Sequence, residues 1–145
     1  MSPIRVDFYL LSDNQPNTRW LVACRLLEKA YLKGHRVFVY CDKQHDAELL
    51  DELLWTFKDE SFIPHHLQGE GPEPPPAIQI GYDTASRAFN DILLNASTIE
   101  IPAFYPQFKR IIELVSHDST QKEQSRIRYK YYKDKGYQLM THSLS

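Results

Sequence analysis

Apolar residues recur along the chain in short, separated runs whose spacing predicts alternating strands and helices. Residues 4–11 are rich in β-branched and aromatic side chains, which is typical of a strand. After a polar segment, apolar residues recur at helical spacing over 18–34, where a glycine ends the run. Residues 36–41 are almost continuously apolar, as buried parallel strands are, and Asp42 is placed to begin a second helix that ends near Phe57. The first part of the chain is thus two consecutive strand–helix units.

The rest of the chain continues this alternation with shorter elements. A proline in the next strand favours an edge position, and the proline-rich residues 69–76 predict a loop. The predicted elements are strands over 61–67, 77–82 and 90–95, and helices over 106–117 and 119–135. Strands that alternate with helices predict a single α/β domain over residues 1–145. We expect an open, mainly parallel sheet with helices on both faces.

Length and composition place the chain among globular proteins. Its 145 residues suffice for one domain with a buried core; 42% are hydrophobic and 25% charged. No stretch approaches the ~20 consecutive apolar residues of a membrane-spanning helix. No basic run followed by an apolar run marks a signal peptide at the amino terminus. We therefore expect a cytoplasmic protein, with Cys24 and Cys41 buried as small apolar side chains.

Residue types that common enzyme chemistry needs do not occur at the required spacing. The segment after the first strand, residues 12–18, has no glycine to bring backbone N–H groups to a phosphate, and its Asp13 would repel that group. His65 and His66 are neighbours on a strand, so they point to opposite faces and cannot easily share a metal ion. No Gly-x-Ser-x-Gly elbow accompanies the serines. We expect no catalytic residue, cofactor or metal.

Positive charge is concentrated in one segment, although the whole chain carries a formal charge of −2. Residues 119–136 hold six basic and two acidic side chains, a net +4 that leaves −6 on the remainder. On a helix, five of these side chains share one face: Lys122, Arg126, Tyr129, Lys130 and Lys133. Ile127 and Tyr131 lie on another face, which we expect to pack on the sheet.

An aromatic ring within a row of cations suits an acidic ligand that also has an apolar group to bury. Nucleic acid, a phosphorylated segment and an acidic peptide all fit this description, and so does an ordinary solvated helix face with no ligand. The negative charge on the remainder favours a short acidic peptide over nucleic acid. A module that binds single-stranded nucleic acid directly through this helix is the alternative function.

Three further aromatic residues, Trp55, Phe57 and Phe62, lie where the second predicted helix joins the next strand. Exposed aromatic side chains near a loop are common anchors of protein interfaces. The same side chains could instead fold over the edge of the core. The pattern leaves both interpretations open.

Short stretches along nearly the whole chain match one known family. They are Phe8-Tyr9-Leu10-Leu11, Leu50-Asp51-Glu52-Leu53-Leu54-Trp55, Ser61-Phe62-Ile63-Pro64-His65, Gly69-Glu70-Gly71-Pro72 and Arg128-Tyr129-Lys130. Through them the chain resembles the chi subunit of bacterial DNA polymerase III holoenzyme. The resemblance implies a non-catalytic accessory protein of the clamp-loader assembly. It also implies a Rossmann-like α/β fold that lacks a nucleotide-binding glycine loop.

The resemblance further implies partners and the residues that contact them. Chi-like proteins pair with the psi subunit, which tethers them to the clamp loader, and they contact DNA only indirectly. They also hold the acidic, phenylalanine-ended carboxyl-terminal tail of single-stranded DNA-binding protein. The family's tail-binding positions fall on Val115, Lys122, Arg126, Tyr129 and Lys130. Positions for psi or another protein partner fall on Trp55 and Phe62.

Overall fold

Seven strands form one sheet in which every pairing is parallel. The computed structural model describes residues 4–11, 15–58, 62–70, 76–97, 100–116 and 118–143. The strands are β1 (Arg5–Leu10), β2 (Val37–Tyr40), β3 (His65–Leu67), β4 (Ile78–Gly81), β5 (Ile92–Asn95), β6 (Arg110–Val115) and β7 (Gln138–Ser143). The α-helices are α1 (Pro16–Leu32), α2 (Gln44–Thr56) and α3 (Ser119–Asp134). Across the sheet the order is β3-β4-β2-β5-β6-β1-β7.

Different helices cover the two faces of the sheet. α1 and α2 pack on one face, in a core that includes Leu27, Leu50 and, from β1, Tyr9. α3 packs on the other face, where its Tyr132 contacts Phe8 of β1. Successive side chains of a strand point to opposite faces, so β1 contributes to both cores. The prediction of an open parallel sheet with helices on both faces, a Rossmann-like architecture, is confirmed.

The structure corrects the prediction for the last third of the chain. The predicted helix over 106–117 is wrong: a 3₁₀ turn at Tyr105–Gln107 leads into strand β6. The cores on the two sides of the sheet bury both faces of β6, with Ile112 in one core and Ile111 in the other. A short apolar run of this kind has no period that distinguishes a strand from a helix. β7 was not predicted, because its largely exposed residues pair with β1 alone.

α3 packs on the sheet with a face other than the predicted one. Ile127 and Tyr131 remain 56% and 38% exposed, whereas Arg128 and Tyr132 are buried. Arg128 Nε donates a hydrogen bond of 3.1 Å to Glu113 Oε1 on β6, and the Tyr132 hydroxyl donates one of 2.7 Å to Glu113 Oε2. The packed face is therefore polar: Arg128 and Tyr132 share one buried carboxylate, while Arg128 Nη1 is buried with no hydrogen-bond partner among the described residues.

The two cysteines are buried, as predicted, and both are free thiols. Burial raises the pKa of the Cys24 thiol and of the Cys41 thiol to about 12. No helix in the described part of the chain has the length and apolar character to cross a membrane. Residues 12–14 of the glycine-free segment, residues 71–75 of the predicted loop, and positions 61 and 117 lie outside the described residues.

Candidate functional site

A pocket of about 280 Å³, which we call the α3 pocket, opens between α3 and strands β1, β6 and β7. Its lining consists of Phe8, Leu10, Val115, Lys122, Ser125, Arg126, Tyr129 and Thr141. Leu10 and Val115 are register partners at the ends of β1 and β6, and Phe8 is the partner of Thr141 on β7. The pocket thus lies toward the carboxyl edge of the sheet, where α/β folds commonly bind ligands.

The inner wall of the α3 pocket is aromatic. Phe8 is buried, and its ring centroid lies 5.3 Å from that of Tyr129. Despite this contact, Tyr129 remains 40% exposed. An apolar group of a ligand can therefore pack against the exposed part of this ring.

The outer rim of the pocket is cationic. Lys122 and Arg126 lie one helical turn apart on α3, and both are exposed. Arg126 Nη1 is 3.3 Å from Glu123 Oε2, and both side chains are so exposed that this ion pair is weak. No carboxylate of the described ranges forms an ion pair with Lys122. The rim is therefore suited to an anion.

The structure gathers four of the five residues predicted to bind the tail. Val115, Lys122, Arg126 and Tyr129 line the α3 pocket. Lys130 is exposed but lies farther round the helix, where it shares a shallow depression with Arg126 and Tyr131.

Sequence reasoning missed the other lining residues. Phe8 and Leu10 were placed on the first strand without a site role, and Thr141 lies on the strand that was not predicted. Ser125 is the one missed residue on α3. The carboxyl ends of parallel strands meet at one edge of a sheet, and this rule could have pointed to the strand residues of the pocket. It does so only when the order of the strands is known, and the sequence does not give that order.

Two of the three aromatic residues near the end of α2 form an exposed pair, Trp55 and Phe62, which we call the aromatic patch. Their side chains are 55% and 69% exposed, and their ring centroids lie 5.8 Å apart. The Trp55 ring also contacts that of buried His65, at 4.6 Å between centroids. Phe57, in contrast, packs against the core. The patch therefore offers apolar surface to a partner.

The neighbouring histidines have separate structural contacts, as strand alternation predicts. His65 Nδ1 lies 2.6 Å from the carbonyl oxygen of Ile63, and its Nε2 lies 3.1 Å from that of Asp51. His66 Nε2 lies 3.1 Å from the amide nitrogen of Gln79. Within the described residues, no group of three or more His, Cys, Asp and Glu side chains could hold a metal ion.

Comparison with known proteins identifies the family. The family model described as DNA polymerase III chi subunit, HolC, matches residues 4–140. The DNA polymerase III subunit chi of Pseudomonas aeruginosa is 39% identical over 140 residues, which cover 97% of this chain and 96% of that protein. The proteins of the same name from Escherichia coli and Haemophilus influenzae are 34% and 33% identical. These two matches cover 92% and 95% of this chain, and 94% and 96% of the respective relatives. The chain therefore belongs to the family of DNA polymerase III chi subunits, accessory subunits in DNA replication.

Proposed function

We propose that this protein links DNA polymerase III to single-stranded DNA-binding protein by holding the acidic tail of that protein in the α3 pocket. The observation that carries the proposal is the combination of an aromatic wall and a cationic rim in one pocket. The terminal phenylalanine of the tail would pack against Tyr129 and Val115. Its carboxylates would meet Lys122 and Arg126. Lys130, farther round the helix, would contact acidic residues that precede the tail's end.

The expected energy of each charged contact is modest. A hydrogen bond to a charged group contributes about 1.5–3 kcal/mol, so the loss of Lys122 or Arg126 weakens binding by ~10–100-fold. Arg126 must leave Glu123 to bind the tail, at little cost because an exposed pair contributes at most about 1 kcal/mol. Salt screens exposed charges over ~10 Å at 0.1 M, so affinity falls as salt rises.

The test is a fluorescence-anisotropy titration with a labelled acidic peptide that ends in phenylalanine. We expect saturable binding by the wild type and a loss of ~10–100-fold in Lys122→Ala and in Arg126→Ala. Lys133→Ala is the matched control, because Lys133 is an exposed cation on the same helix that does not line the pocket. Unchanged binding by Arg126→Ala, or an equal loss in Lys133→Ala, would contradict the proposal.

Direct binding of single-stranded nucleic acid to α3 is the alternative that the same surface allows. A gel-shift experiment with oligo-dT, in the absence of the DNA-binding protein, separates the two. Retardation by the wild type that disappears in Arg126→Ala would favour the nucleic-acid site. Saturable peptide binding without retardation would favour the tail.

The same proposal assigns the aromatic patch to the psi subunit, which would tether the chain to the clamp loader. Large apolar side chains left exposed together commonly mark a protein interface, and an aromatic hot spot contributes about 2 kcal/mol or more. We expect Trp55→Ala to weaken psi binding at least ~30-fold in a pull-down titration while peptide binding is unchanged. Leu32→Ala, at an apolar side chain that is 75% exposed, is the control. Wild-type affinity for psi in Trp55→Ala would refute this assignment.

A further inference from the structure

A second cavity, of about 440 Å³, lies on the α1 face of the sheet beside β1, β6 and β7. Six of its lining residues are basic or carry an imidazole: Arg5, Lys29, Lys33, His35, Arg110 and His142. We call this cavity the basic cleft. It shares no lining residue with the α3 pocket. Four arginine and lysine side chains thus surround one cavity in a chain whose formal charge is −2.

A buried carboxylate holds the two arginines of the basic cleft in place. Asp7 has no exposed surface; its Oδ1 accepts a hydrogen bond of 3.0 Å from Arg5 Nη2, and its Oδ2 accepts one of 2.7 Å from Arg110 Nε. His142 Nε2 lies 2.7 Å from Asp7 Oδ1. Burial raises the pKa of Asp7, but the hydrogen bonds from His142, Arg5 and Arg110 outweigh it and lower that pKa. The carboxylate is therefore charged at neutral pH and fixes both guanidinium groups.

The positive charge of the cleft exceeds what Asp7 neutralises. Arg5 and Arg110 are register partners on neighbouring strands, and their side chains remain 44% and 29% exposed. Lys29, in the last turn of α1, and Lys33, the residue that follows the helix, are both exposed, and no described carboxylate forms an ion pair with either. Arg110 Nη2 also donates to the Tyr9 hydroxyl, at 3.5 Å. The guanidinium N–H groups that neither Asp7 nor Tyr9 uses, together with two ammonium groups, are therefore available to an anion.

We propose that the basic cleft binds a phosphoryl group. Such a group carries up to about −2 charge and offers several strong acceptor oxygens. Guanidinium groups held in a fixed orientation bind these oxygens in pairs, and lysines add charge around them. An acidic peptide with an apolar end fits less well, because Tyr9 of this cleft is buried and stacked on His142, at 4.5 Å between centroids. The phosphoryl group belongs either to a nucleic-acid backbone or to a free phosphate compound.

The test is an NMR titration of ¹⁵N-labelled protein at fixed ionic strength, with sodium phosphate, thymidine monophosphate and oligo-dT as separate ligands. We expect saturable shifts of the amides of Lys33, His35 and His142 in at least one titration. The double variant Lys29→Gln/Lys33→Gln should weaken this binding ~10-fold or more, and both positions are exposed enough to leave the fold intact. The matched control is Lys122→Gln/Arg126→Gln, which removes two cations of the α3 pocket and should leave cleft binding unchanged.

The three ligands also identify the source of the phosphoryl group. Saturation by oligo-dT at a much lower phosphate concentration than by the two small ligands would assign the cleft to a nucleic-acid backbone. Saturation by the small ligands at a similar concentration would assign it to a free phosphate compound. Shifts that never saturate, or that the Lys29→Gln/Lys33→Gln variant leaves unchanged, would overturn the proposal. An acidic peptide that saturates the cleft when none of the phosphates does would also overturn it.

Discussion

The buried ion pair between α3 and β6 is the contact whose removal should destabilise the fold most clearly. The substitution Arg128→Met removes the 3.1 Å bond from Nε to Glu113 Oε1 and leaves the carboxylate buried without a cation. Removal of one partner of a buried pair costs about 3–5 kcal/mol. Glu113 keeps hydrogen bonds of 2.7 Å from Tyr132 and 3.0 Å from Asn95, so we expect the lower end of this range, about 3 kcal/mol.

Urea denaturation at neutral pH measures this loss as a lower midpoint at an unchanged slope. The matched control is Arg126→Met, the same substitution on the same helix at a side chain that is 76% exposed. The control should lose no more than about 1 kcal/mol, because its ion pair with Glu123 is exposed. If the two variants differ by less than about 0.5 kcal/mol, the buried pair does not hold α3 on the sheet and our reasoning is refuted.

The pH dependence of the stability lost in Arg128→Met provides a second test of the buried ion pair. Burial raises the pKa of Glu113, although Arg128 acts to lower it, so the variant should have a still higher Glu113 pKa. A carboxyl group whose pKa is higher in the folded state favours folding at low pH, and this contribution is lost as the pH rises through the folded-state pKa. The stability lost in Arg128→Met should therefore be smaller near pH 5 than near pH 8. An equal loss at both pH values would contradict this account.

Three further predictions concern the pocket, the cleft and the thiols. Tyr129→Ala should weaken peptide binding about tenfold or more in the anisotropy assay, whereas Tyr129→Phe, which keeps the ring against Phe8, should bind like the wild type. Because the folded-state pKa of Asp7 is lowered, its contribution to stability is present above about pH 4 and is lost as the pH falls through the folded-state pKa. Asp7→Asn should therefore be less stable by about 1–3 kcal/mol at pH 7 in urea denaturation, and this deficit should shrink as the pH falls below about 4; a deficit that does not change with pH would exclude a charge effect. Cys24 and Cys41, with thiol pKa values of about 12, should resist a thiol reagent near pH 8 until the protein is denatured, and rapid labelling of the native protein would contradict their burial.

The strands and helices of the first half could be predicted because each has a local signal. α1 and α2 bury one apolar face, and the helical period of that face can be counted along the chain. β6 and β7 have no such signal, for opposite reasons. β6 is buried on both faces by the cores on the two sides of the sheet, and β7 is an exposed edge strand that only its pairing with β1 defines. These two strands depend on contacts between residues far apart in the sequence, which a local pattern does not contain.

Of the α3 pocket, the sequence predicts which side chains of the helix share a face, but not the direction in which that face points. Helical spacing is local, so the shared face of Lys122, Arg126 and Tyr129 could be predicted from the sequence alone. The direction of that face depends on Arg128, one of six basic residues in 119–136 that a charge count treats alike. Burial of Arg128 against Glu113 rotates α3 by about 100°, one residue step, from the orientation that would bury Ile127 and Tyr131. In that other orientation Tyr129 would face solvent instead of Phe8. The α3 pocket therefore exists because Arg128 is buried inside the fold. Its burial orients the exposed residues of α3 toward the ends of β1 and β6.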